Sequence, residues 1–142
     1  MSYLLDTNVL SEIRKPNTDP NVDEWIRDVD SDRLYLSVLV LGEIRQGIER
    51  LRRRDAKRAA EFDAWLLELQ RHYDDRIVHI DAETADIWGR LNSERTLPVV
   101  DGLLAATALR HSFTVVTRNV KDFVGTGASV LDPFNGALSS GT

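Results

Sequence analysis

Five side chains in this sequence combine the right types and placement to do chemistry together. Asp6 closes a short apolar run in "YLLDTN" (3–8) and is followed at once by a hydroxyl and an amide, Thr7 and Asn8. Glu43 follows the apolar run Val38–Leu41, Asp101 lies in "VVDGLL", and Asn119 and Asp122 come just after "TVVTR". All of these donors are oxygen. The chain has no cysteine, and its three histidines, His72, His79 and His111, include no pair at ligand spacing. Such a donor set suits Mg²⁺ or Mn²⁺ and lacks the usual ligands of structural zinc. Carboxylates gathered at one place repel each other unless a cation neutralises them or some pKa values rise. The chemistry open to such a cluster is attack of water on phosphorus, assisted by one ion or two. By the same repulsion, Asp6→Asn is expected to leave the metal-free fold at least as stable as before.

Each position also has a plainer reading. An Asp after a strand often builds a turn. Glu43 could be a solvated helix residue, although Leu39 and Val40 one turn back place it beside a buried stripe, where an unpaired carboxylate is costly. Asp101 could serve the dipole of its own helix, and Asn119 and Asp122 could simply form a turn.

The elements that would position these groups follow from periodicity. Strands are predicted at 3–6, 33–37, 76–80, 113–117 and 128–132. "NVLSEIRKP" holds two helical turns before Pro16, and "NVDEWIRDV" is a short amphipathic helix after the turn "NTDP". Leu41, Ile44, Ile48 and Leu51 form one stripe of a longer helix. Phe62, Trp65, Leu66, Leu69 and Tyr73 form the stripe of the next, which reads as core more readily than as interface. Asp81 caps "AETADIWGRLN", and Pro98 sits at the start of "VVDGLLAATALRHS", where proline is tolerated. Strands alternating with helices predict an α/β protein, with a mostly parallel sheet covered by helices on both faces. Ligands of such a sheet bind beyond the carboxyl ends of its strands. Asp6, Glu43, Asn119 and Asp122 belong at that edge by topology; Asp101 is tied to it less directly, since it starts the helix preceding its strand.

The 142 residues suit a single domain, expected over 1–134, with a small polar tail, "NGALSSGT", from residue 135 expected to be flexible. The formal net charge of −5 argues against holding nucleic acid by bulk electrostatics. The absence of cysteine fits a cytoplasmic location, the start has no secretion signal, and no stretch is apolar for long enough to cross a bilayer.

"YLLDTNVLSEI", "SVLVLGEIRQGI", "VVDGLLAATAL" and "VVTRNVKDF", in this order and spanning nearly the whole chain, resemble the PIN-domain proteins of the VapC/FitB type. These are the toxin halves of bacterial toxin–antitoxin pairs. The resemblance implies a three-layer α/β/α sandwich and a metal-dependent endoribonuclease that dimerises and is silenced by a cognate antitoxin. It implies that Asp6 and Asp101 are the principal metal ligands, that Glu43 is a further ligand or orients the attacking water, and that Thr7, Asn8 and Thr117 orient the carboxylates. At the fourth acidic position many members have an acid where this chain has Asn119. Either Asp122 supplies that charge or Asn119 positions a water, and the number of ions stays open with it. The implied reaction is in-line hydrolysis of an RNA phosphodiester.

Two other functions compete with this one. A phosphatase of the haloacid dehalogenase type shares "LLDTNVL" superficially, but Asn8 stands where that chemistry needs a second Asp. A catalytically silent PIN-like module would bind RNA or a partner protein only, and Asn119 is the feature that favours it. Residues 45–58, "RQGIERLRRRDAKR", hold seven Arg or Lys and two acids. They read as a solvated helix–helix turn or as a phosphate-contacting rim, and Arg118 beside the site is a further candidate for that contact.

Overall fold

In the computed structural model, which describes residues 1–135, five strands form one all-parallel sheet in the order β3-β2-β1-β4-β5. The strands are β1 (Ser2–Leu5), β2 (Leu34–Ser37), β3 (Ile77–Val78), β4 (Phe113–Val116) and β5 (Ser129–Leu131). The helices are α1 (Thr7–Arg14), α2 (Pro20–Asp28), α3 (Val38–Arg52), α4 (Ala56–His72), α5 (Ala82–Glu94) and α6 (Val99–His111). The α/β/α sandwich expected from the alternation is therefore the architecture found. Leu4, Leu5, Leu36, Val115 and Val116 on the inner strands are fully buried, as a sheet covered on both faces requires.

The chain winds from β1 to β2 to β3 in one direction, then returns across the sheet to β4 and β5. Right-handed crossovers place α1–α4 on one face and α5–α6 on the other. The reversal leaves a crevice where β1 and β4 end side by side, in register from Ser2–Phe113 to Leu5–Val116. That is where an open sheet of this kind takes a ligand.

Local signals set most boundaries. Asp6, Asp19, Ser37, Asp55 and Asp81 each cap a helix with their own side chain. Pro20 opens α2 at its first position, one residue earlier than the sequence suggests. Helix α1 stops at Arg14 with Lys15 extended before Pro16. Four strands, β2 to β5, are shorter than predicted. Arg33 belongs to a 3₁₀ turn before β2 rather than to the strand. Edge strand β3 keeps only two of the five residues expected. Arg76, expected in β3, instead donates from its guanidinium to the carbonyls of Ser31, Leu34 and His72, and so closes the α4–β3 junction. Thr117 leaves β4, although its amide still donates to Leu131 O at 3.0 Å. At the far end Asn135, expected to start the tail, closes a 3₁₀ turn with Pro133; the rest of the expected tail, 136–142, lies outside the described residues.

Helix α6 is buried nearly all round, with Gly102, Leu104, Ala105, Ala106, Thr107 and Ala108 all inaccessible. It lies between the sheet and α5. At Gly102 a Cβ would come within 3.1 Å of the Trp88 ring and 3.5 Å of Leu97 Cβ. The missing side chain lets the first turn of α6, which carries Asp101, press against α5. Gly102→Ala should therefore lower the melting temperature, although alanine by itself gains about 1 kcal/mol in a helix. A melt at or above that of the wild type would show that the Trp88 contact does not constrain this turn.

Candidate active site

The carboxylate of Asp6 is the fixed point of the crevice. Its residue is only 7 % exposed, and the end of β1 delivers it there with its amide donating to Val116 O at 2.9 Å. Oδ1 accepts from the Thr7 amide at 2.8 Å, capping α1. Oδ2 accepts from Thr117 Oγ1 at 2.8 Å and from Asn8 Nδ2 at 3.3 Å. The same amide of Asn8 also donates to Thr117 Oγ1 at 3.2 Å, while Asn8 Oδ1 accepts from the Arg118 amide at 3.1 Å. Thr117 Oγ1 accepts in turn from the Asn119 amide at 3.0 Å. Thr117 and Arg118, just after β4, are thereby bound to Asp6 and Asn8, just after β1. Thr7, Asn8 and Thr117 do orient a carboxylate, and Asn8 is fully engaged as an amide.

Glu43 reaches the site from α3. Ser37, the buried last residue of β2, caps that helix by accepting from the Leu39 amide at 3.1 Å. Glu43 then falls on the turn that faces α1, where Thr7 Oγ1 donates to its Oε1 at 2.7 Å. Asp101 enters from the opposite face, in the first turn of α6, whose cap Pro98 offers no side-chain hydrogen bond. A helix N-terminus ordinarily lowers an acid's pKa, yet Asp101 is pushed up from 3.8 to about 6. Burial is the largest cause, and the charges of Asp6, Asp122 and Glu43 follow in that order. All three acids therefore stand close enough to act on Asp101, which topology alone did not secure.

Asp122 sits in the 3₁₀ turn Val120–Phe123, anchored by the buried Phe123 and by its own amide donating to Asn119 O at 3.0 Å. Asn119 is exposed, and among the described residues only its backbone is engaged. The two candidates for the fourth position thus differ: Asp122 adds charge to the cluster, whereas Asn119 lies on its rim.

Among the described residues, no three acids or histidines stand close enough together to ligate one ion as they are. Magnesium does not require that: it is normally held by one or two carboxylates, its remaining positions being water and phosphate oxygen. Four carboxylates without thiolate or imidazole, one of them carrying a raised proton affinity, form a donor set that fits a hard divalent cation.

The basic segment divides in two. Arg45 and Arg52 are tied to Glu49 and Asp63 across the α3–α4 hairpin, and both carboxyl groups are held below their usual range by these guanidinium groups, Arg52 first. Arg54 and Arg58 instead line a groove of about 340 Å³ that begins at Thr7 and Glu43 and continues past Phe62 and Trp65. Glu12 carries no signal in the sequence. It is a buried acid on α1 that accepts from the Asp19 amide at 2.9 Å and from Lys15 Nζ at 3.0 Å, contacts that hold its pKa down. Its role is to join α1 to α2.

The PIN domain family model matches residues 3–125. The chain belongs to the PIN domain family. It is similar to Toxin FitB of Neisseria gonorrhoeae (strain ATCC 700825 / FA 1090), 30% identical over 139 residues that cover 93% of this chain and 98% of the relative. It is similar also to VapC ribonuclease Y4jK of Sinorhizobium fredii (strain NBRC 101917 / NGR234), 31% identical over 140 residues, 94% of this chain and 99% of the relative. The crystal structure of FitAcB from Neisseria gonorrhoeae superposes with a TM-score of 0.85 at 30% identity, covering 93% of this chain and 98% of that one. The resemblance drawn from four short blocks of sequence thus extends over the whole fold.

Two measurements follow from the electrostatics. Below pH 4 Asp101 is protonated in both folded and unfolded chains. As pH rises from about 4 to 6 the unfolded carboxyl ionises while the folded one keeps its proton, so metal-free stability should fall through that window and stay lowered above it. Asp101→Asn should flatten this decline in a series of denaturant melts in EDTA; an unchanged slope would place the strain elsewhere. Asp6 behaves differently. Its three donors reverse the expectation that Asp6→Asn is harmless, because an amide nitrogen there would face the amide of Asn8 or the Thr7 amide. That variant should lose roughly 1–3 kcal/mol in metal-free melts, and a melting temperature equal to or above the wild type would show that repulsion outweighs the lost acceptor.

Proposed function

We propose that this chain is a divalent-cation-dependent endoribonuclease acting as the toxin of a toxin–antitoxin pair. The observation that carries the reading is the raised pKa of Asp101, produced by burial and then by the charges of Asp6, Asp122 and Glu43 at the switch point of a PIN-domain sheet. A cluster short of positive charge there calls for a cation. The relatives named toxin and VapC ribonuclease, matched over more than nine-tenths of the chain, supply the substrate class and the biological setting.

Asp6, at the end of β1, and Asp101, in the first turn of α6, would hold the ion, with Glu43 as a further ligand or as the group that orients the attacking water. Thr7 fixes the Glu43 carboxylate, and Asn8 with Thr117 fixes that of Asp6. Asp122, whose charge already bears on Asp101, fills the fourth acidic position, and Asn119 stays at the rim. When bound, Mg²⁺ or Mn²⁺ offsets the charge that develops on the phosphate during in-line hydrolysis. Unpaired RNA is the preferred substrate, because its backbone bends into a crevice and its bases can be splayed out. Residues 1–134 act as one domain, the protein works in the cytoplasm as a homodimer, and a cognate antitoxin protein is its regulatory partner. None of the described helices is long and apolar enough to cross a membrane.

The test pairs binding with turnover. Calorimetry should show Mn²⁺ binding to the wild type and weaker binding to Asp6→Asn and Asp101→Asn. The wild type should cut single-stranded RNA with Mn²⁺ and stop with EDTA. Glu43→Gln should fold normally by circular dichroism but lose activity by about two orders of magnitude or more, a usual cost of removing a group that positions a proton transfer. Expressed alone, the wild type should arrest growth and Glu43→Gln should not. Mn²⁺ binding without cleavage of any RNA would favour a silent binding module; equal cleavage by both proteins would move the site elsewhere.

A further inference from the structure

Arg118 follows directly on Thr117; like Arg54 and Arg58 in the adjoining groove it lacks a paired acid among the described residues, but it alone among them is tied by its backbone to Asn8 beside the acidic cluster. Arg45 and Arg52 are neutralised by Glu49 and Asp63, and Arg76 is spent on backbone carbonyls. Arg118 is exposed and makes no ion pair among the described residues. Its guanidinium lies 4.6 Å over the ring of Phe134. A guanidinium held over an aromatic ring can leave N–H donors free, and such donors suit a two-point grip on phosphate.

Both ends of this arrangement are anchored. The Arg118 amide is held by Asn8 Oδ1, and the same Asn8 side chain donates to the Asp6 carboxylate, so the arginine is registered to the acidic cluster through one residue. Phe134 is fixed by its amide donating to Asp132 Oδ1 at 2.9 Å and by its carbonyl accepting from Asn21 Nδ2 at 2.8 Å. The buried Pro133 precedes it. An ordered cation beside an acidic crevice, on a chain with a net charge of −5, is placed to receive an anion that must pass the carboxylates.

We propose that Arg118, stacked on Phe134, is a substrate-positioning residue that grips the RNA phosphate next to the one being cut. This rests on the ribonuclease reading, and it assigns a function to the C-terminal turn Pro133–Asn135: to hold the aromatic plate on which the arginine lies. The assignment separates Arg118 from the acids, which act on the scissile phosphate itself.

The experiment uses the full chain and a fluorescent single-stranded RNA oligonucleotide. Cleavage is followed with Mn²⁺ and binding by anisotropy in EDTA, both over a range of salt. Arg118→Gln should raise KM severalfold and leave kcat within about twofold. Its plot of log affinity against log salt should be shallower by about 0.7, the contribution of one phosphate on a single strand. Arg118→Lys should restore the slope, since the charge returns, but only part of the affinity, since the fork and the stack do not. Phe134→Leu should raise KM with the salt slope unchanged. If the wild type cuts the oligonucleotide and Arg118→Gln shows wild-type KM and salt slope, whatever its melting temperature, this assignment is overturned while the ribonuclease reading stands. If the wild type neither binds nor cuts the oligonucleotide, both fall together.

Discussion

The structure depends on one buried carboxylate that accepts three hydrogen bonds, one at Oδ1 and two at Oδ2. Asp6 ends the central strand, caps the first helix, and receives Thr117 and Asn8 from either side of the switch point. An ionised group at that depth is tolerable only with such partners. The requirement reaches outward from there. It fixes Thr117 at the end of β4, so the residues after β4 must turn sharply, and the 3₁₀ turn that follows carries Asp122 back toward the crevice. The fold and the acidic cluster are in this sense one construction, since the contacts that close β1 against β4 are the contacts that aim the first acid.

The electrostatic strain is not shared evenly. Asp6 is embedded in donors, Glu43 has the Thr7 hydroxyl, and Asp101 carries the uncompensated part. A helix N-terminus would ordinarily relieve such an acid, but α6 begins at a proline and its first turn is pressed against Trp88 through Gly102. Burial and three like charges outweigh the dipole. A site with one well-satisfied and one strained carboxylate is prepared to accept positive charge without first losing its shape, because the group that would gain most is not the group that holds the strands together.

The positive charges show a similar division. On the α3–α4 hairpin, Arg45 and Arg52 are paired with Glu49 and Asp63 and stiffen the connection, while Arg54 and Arg58 line the groove that adjoins the crevice. The chain's acidic balance therefore conceals a groove lined by two arginines. Composition averages over all of these residues and cannot separate the two sets.

Much was legible in the sequence because it is local. Alternating apolar strands and periodic helices specify a covered parallel sheet. Capping residues such as Asp19, Ser37 and Asp81 mark helix starts by a hydrogen bond to the next turn, and the block "LDTN" placed an acid at a strand end. The order of the strands follows from handed crossovers once the elements are known. What the sequence left open was set by contacts between distant segments. Asp101 comes within reach of the charges of Asp6, Asp122 and Glu43 only because α6 packs on the far face of the sheet, a placement no local pattern encodes. The placement of Asp122 depends on a single 3₁₀ turn anchored by Phe123. Strand β3 lost residues to the side chain of Arg76, whose carbonyl partners lie in other elements. Sequence by itself determined the periodic elements and the types of oxygen donor, because these are properties of neighbouring residues. Tertiary structure alone decided which acid bears the strain and which arginines are paired, because burial and like-charge repulsion depend on distances through space.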